Sequence, residues 1–133
     1  MTETADMMGA GLRSRSISYK IGWWILGGIN GLSSLNHVSG PLAGFAEGDA
    51  EMFVFFSLAA INIYALAVLL TAYRRGEQWA WWVTWAMIAI YGITMLYAPD
   101  AGRYYLGAAV VMAVAQLLTW SAFRAPKRAR LER

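Results

Sequence analysis

Apolar residues fall in four long runs, Ile21–Leu35, Met52–Tyr73, Trp79–Ala98 and Tyr104–Phe123. Short polar or turn-forming segments separate them. A helix rising ~1.5 Å per residue needs ~20 residues to cross a ~30 Å hydrocarbon layer, and each run approaches that length. The pattern predicts an all-α fold: an integral membrane bundle of four transmembrane helices, at about 18–38, 50–73, 78–98 and 101–123. Together these make one domain, 17–124. Met1–Ser16 is polar without apolar periodicity and reads as a disordered tail. Residues 125–133 form a basic tail.

The connections carry turn and cap chemistry. Gly40-Pro41, Gly44 and Gly48 mark a loop, with Asp49 as N-cap of the second helix and Glu51 in its first turn. Arg74-Arg75-Gly76-Glu77 is a tight link, which predicts that helices 2 and 3 are antiparallel neighbours. Pro99 ends the third helix and Asp100 caps the fourth.

Charge then sets orientation. With both termini and the Arg74–Glu77 link in the cytoplasm, Arg103 is the only one of eleven Lys and Arg left outside. Four spans with N and C termini cytoplasmic follow, as a multi-pass protein of the cell inner (plasma) membrane. All seven Trp lie in the cytoplasmic halves of the expected spans and read as an anchoring belt.

Composition agrees. The chain is 59% hydrophobic and 14% charged, too little polar surface for a water-soluble domain of 133 residues. It has no Cys, which excludes disulfides and thiolate chemistry, and its one His excludes bis-His haem ligation within a chain. No metal site is expected. The net charge of +3 comes mainly from basic helix flanks, which suit lipid headgroups and not nucleic acid. A shift of 58 residues lays Trp23-Trp24 on Trp81-Trp82 and Pro41 on Pro99, the pattern of a duplicated helical hairpin.

Two polar clusters carry the candidate chemistry. One is an outer rim of His37, Glu47, Asp49, Glu51 and Asp100, with Arg103 nearby. His37 ends helix 1 and Glu51 begins helix 2, so the pair could act as acid–base catalyst and tuner. The plain alternative is that these acids only cap helices or meet solvent. The second cluster lies at mid-membrane depth: Asn30, Asn62, Tyr64, Tyr91 and Gln116, with Thr84. Amides in hydrocarbon need partners, so Asn30 and Asn62 would bond to each other or across the bundle. They would serve as helix glue or as a ligand-binding pocket for a quinone or other lipophile. No Asp, Glu, Lys or Arg lies inside any expected span, unlike ion-coupled transporters.

The link Arg74-Arg75-Gly76-Glu77-Gln78-Trp79-Ala80-Trp81-Trp82, set in a four-helix plan, resembles small bacterial membrane proteins of the DoxX-like group. That resemblance implies a membrane partner of quinone-linked oxidoreductases and assigns no catalytic residue. The expected function is a non-catalytic subunit or lipophile-binding partner of a larger membrane assembly, or a homo-oligomer. The alternative is a membrane-embedded isomerase- or hydrolase-like enzyme using His37 and Glu51 on a lipophilic substrate.

Overall fold

The computed structural model describes residues 15–46, 48–97 and 99–124. The tails expected over 1–16 and 125–133 lie outside them, apart from Arg15 and Ser16. So do Glu47 and the side chain of Asp100.

The described residues form helices without strands: α1 (Ile17–Leu42), α2 (Asp49–Val68), α3 (Gln78–Tyr97), α4 (Pro99–Thr119) and the short α5 (Ser121–Arg124). A π-helical turn, Leu69–Tyr73, continues α2. One helix among the described residues, Asp49–Tyr73, is long and apolar enough to cross a membrane.

Helix ends follow local chemistry, with three departures from the sequence expectation. Ser16 caps α1, its Oγ accepting from Tyr19 N at 3.3 Å. α1 then runs through Gly40-Pro41, which the turn residues mark as loop. Pro41 sits in the last turn, where it removes one ladder donor, and the chain leaves the helix two residues later. Gly40 is there for packing: a Cβ would stand 2.7 Å from the Phe55 ring. At α2 the N-cap is Gly48, so Asp49 is the first helical residue, with Glu51 still in the first turn beside the positive end of the dipole. α4 begins at Pro99, whose fixed φ suits the first helical position, so Asp100 lies inside the helix.

The α2–α3 link matches its expected design. Gly76 has φ +73° and follows the helix in the left-handed region. Glu77 accepts from Arg75 Nε and Trp79 Nε1, each at 2.5 Å. Those two bonds, Arg75 first, hold its carboxyl below the usual range.

Packing differs from the expected neighbours. α1 lies closely against both α2 and α4, and α4 against α3. α2 and α3 run antiparallel but touch little, because α1 and α4 occupy the centre. Within each half of the chain the two helices pair closely, α1 with α2 and α3 with α4, while between the halves α1 meets α4 far more closely than α3 meets α2. Small residues allow this approach. A Cβ on Gly22 would meet the Ala115 carbonyl oxygen at 2.4 Å and Thr119 Cγ2 at 2.8 Å.

Polar bonds tie the link end of the bundle. Trp23 Nε1 donates to Leu69 O at 3.0 Å and Tyr19 Oη to Tyr73 O at 3.2 Å. Both acceptors belong to the π turn, which breaks the ordinary helical ladder and turns carbonyls toward α1. Tyr73 Oη donates to Gln116 Oε1 at 2.8 Å and also contacts Thr119. Gln116 Nε2 donates to Trp81 O at 2.8 Å, bringing in α3. The Trp belt therefore divides: Trp24, Trp79 and Trp82 are exposed, while Trp23 and Trp81 are buried in the core.

Gly22→Ala should lower stability by roughly 1–3 kcal/mol, because the backbone carbonyl it meets cannot rotate away. Gly28→Ala should be neutral or gain up to about 1 kcal/mol, since nothing lies within 4 Å of its added methyl. Thermal unfolding of the two variants under identical conditions checks the contrast.

Candidate functional site

His37 is buried, with 1% of its surface exposed. Three helices hold it. α1 carries it, Asn62 of α2 faces its Nδ1 at 3.1 Å, and Tyr105 of α4 faces its Nε2 at 2.8 Å. α3 joins through Tyr91, whose hydroxyl donates to Asn62 Oδ1 at 2.6 Å. The Ser33 side chain lies beside the Tyr91 hydroxyl. Phe55 closes the cluster edge-on, its ring centroid 6.0 Å from that of His37.

Asn62 fixes the chemistry of this cluster. Its Nδ2 also donates to Leu58 O at 2.8 Å. A carbonyl oxygen can only accept, so the amide nitrogen must occupy that side. The same nitrogen faces His37 Nδ1, so Nδ1 accepts and carries no proton. Neutral imidazole then holds its proton on Nε2 and donates it to Tyr105 Oη. The amide's two hydrogens and its oxygen are all used, as a buried amide requires.

Two lobes of open space flank the His37–Tyr105 pair, of about 480 Å³ and about 440 Å³. His37, Phe55 and Tyr105 border both. The first lobe lies against α1 and α4, where Leu32, Asn36 and Ala108 line it. The second lies in the gap between α2 and α3, with Glu51, Val54, Leu58 and Thr94 on its wall. Such volumes fall in the range of small-molecule pockets, and the mostly apolar walls with few polar groups fit that use.

The residues singled out by sequence distribute unevenly. Asn62, Tyr91 and His37 come together. Glu51 is exposed and borders the second lobe, while both ring nitrogens of His37 are bonded to Asn62 and Tyr105. Asn30 does not meet Asn62. Its Nδ2 bonds to Leu26 O of its own helix at 2.8 Å, and its buried Oδ1 has no partner among the described residues. Gln116 is fully buried in the link-end network. Thr84 bonds to Ala80 O of its own turn. Tyr64 is 58% exposed on the outer face of α2. Arg103 lies over the Tyr104 ring, its Cζ 5.2 Å from the centroid. Among the described residues no three His, Asp or Glu converge as a metal site would need.

Tyr105 and Phe55 are the site residues that sequence reasoning missed. For Tyr105 a signal existed: it shares a helical face with Ala109, Met112 and Gln116, all buried. Its place beside Tyr104 and Arg103 at a helix end disguised it as interfacial. For Phe55 there was none, since it sits in an unbroken apolar run.

Comparison with protein-family models, curated proteins and solved structures gives no match to this chain.

Asn62→Leu should cost roughly 1–3 kcal/mol, because it leaves His37 Nδ1 without a donor in a buried site and takes one acceptor from the Tyr91 hydroxyl. Asn30→Leu should cost little or stabilise, because it removes an oxygen that is already unpartnered. Unfolding midpoints of both variants test this; equal losses would remove Asn62 from its central role.

Proposed function

We propose that this chain is an integral membrane protein with four spans and cytoplasmic termini, which holds the head of a lipophile in the His37–Tyr105 cavity. It acts as a non-catalytic subunit or binding partner in a larger membrane assembly. The observation that carries the reading is the cavity: a mostly apolar space whose polar floor is one organised hydrogen-bond chain.

Lipid as the surrounding solvent is supported by what faces outward. Leu32 and Leu35 on α1, Phe53 and Ile63 on α2, Trp82 and Ile93 on α3, and Val114 and Leu117 on α4 are each at least half exposed. Apolar surface this continuous on every long helix is unsuited to water. A lipophile could reach the second lobe from the membrane, because α2 and α3 pack loosely there. A quinone is one molecule of suitable chemistry. The DoxX-like link Arg74–Trp82 points toward a quinone-linked partner as well.

The acid–base alternative draws on one observation: Glu51 and His37 border the same lobe. In that reading the group meeting substrate is the Tyr105 hydroxyl, with His37 behind it.

The absence of Cys makes topology direct to measure. Single substitutions Arg75→Cys and Asp49→Cys should react with an impermeant thiol reagent only from the cytoplasmic and only from the outer side, respectively. Labelling of both from one side would end the four-span topology. In nanodiscs, a decyl-substituted benzoquinone should bind saturably, and Ala108→Phe, which fills the first lobe, should weaken it on the order of tenfold. Partition identical to that of empty nanodiscs would end the binding reading.

A further inference from the structure

The hydrogen-bond chain has a direction, and that direction selects the ligand. It starts at a fixed point, the Leu58 carbonyl, which orients the Asn62 amide. The amide nitrogen makes His37 Nδ1 an acceptor. The Nε2 proton is then spent on Tyr105 Oη. The Tyr105 hydroxyl receives one hydrogen and still holds its own. Among the described residues His37 is its one hydrogen-bond partner, and the residue borders both lobes. The unspent hydrogen therefore turns to the cavity. A phenol in an apolar pocket with an unused donor is a site for an acceptor.

The rest of the lining narrows the class. No Lys or Arg lines either lobe among the described residues, so an anionic head finds no counter-charge. An ammonium head carries no acceptor and would leave the Tyr105 hydrogen unpaired. Asn62 also breaks the chain as a proton wire, since an amide nitrogen between two fixed acceptors has no proton to pass on without changing tautomer. The chain orients a donor and does not deliver protons.

We infer that this cavity selects neutral lipophiles whose head presents a carbonyl oxygen, to which the Tyr105 hydroxyl donates, over hydrocarbon, carboxylate and amine heads on the same chain. The inference rests on the lipophile-binding reading above and adds Tyr105 as its specificity-determining residue, with His37 and Asn62 as positioning residues.

Four probes of one chain length separate the two claims: 2-tridecanone, tridecane, tridecanoate and tridecylamine, each titrated against the full chain in nanodiscs and against empty nanodiscs. The ketone should bind roughly three- to tenfold tighter than the alkane, the margin of one hydrogen bond. Its carbonyl stretch should move to lower wavenumber when bound. Tyr105→Phe should erase both the margin and the shift while leaving alkane binding in place. Saturable binding of all four probes without ketone preference, or preference for the amine, overturns the inference and leaves the lipophile reading standing. Binding of none overturns both.

A second measurement needs no ligand and no variant. His37 is the only histidine, so its ring nitrogens give unambiguous ¹⁵N resonances. Nε2 should be the protonated nitrogen and Nδ1 the bare one. The opposite tautomer overturns the inference, because Tyr105 would then spend its hydrogen on the ring. Asn62→Asp supplies the control: a carboxylate beside Nδ1 should draw the proton there, and the ketone preference should fall with Tyr105 still present.

Discussion

One buried amide holds the upper half of this bundle together. Asn62 has no exposed surface and bonds through both amide hydrogens and its oxygen, on its own helix, on α1 and on α3. Through His37 it reaches α4 as well. Buried away from water, an unsatisfied amide costs roughly 1–3 kcal/mol, so the helices are held where its partners can be met. The measured worth of one such interhelical bond is modest, on the order of 0.6–2 kcal/mol. Its larger effect is geometric. It fixes which faces of four helices meet, and with them the tautomer of the ring between them.

The opposite end uses a different device for the same problem. There side chains of α1 donate to carbonyls of the π turn, Trp23 to Leu69 O and Tyr19 to Tyr73 O, which also accepts from Gly76 N. Tyr73 then carries the connection to α4, and Gln116 carries it to α3. Both ends join the same four helices, and the two lobes of open space lie at the His37 end. At the link end, Gly22 and Ala115 let the backbones close on each other. At the other end aromatic rings stand between them and leave the two lobes.

This division explains why the polar residues do different things despite looking alike in sequence. Asn30 and Asn62 are both amides near the middles of apolar helices. Asn62 meets a histidine and a tyrosine from other helices; Asn30 turns back on its own turn. Gln116 and Tyr105 share one helical face, yet one is sealed in the core and the other borders the cavity.

The sequence alone determined the helices and their order. Run length, the Arg-Arg-Gly-Glu link and the prolines are local features, and local sterics and hydrogen bonding dictate their outcome. It also picked out His37, Asn62 and Tyr91 as groups that must find partners, because burying a polar side chain among apolar neighbours demands one. Tertiary structure decided which partners they found. Sequence periodicity gives the face of one helix and not the angle at which another crosses it. The short link promised that α2 and α3 would pack side by side, but α1 takes the centre, with the Ala115 backbone close at Gly22 and the Phe55 ring at Gly40. Helix contacts depend on shape across the whole bundle, and so does the direction of the hydrogen-bond chain. No stretch of sequence could reveal that a carbonyl at Leu58 would govern the proton on a ring in another helix.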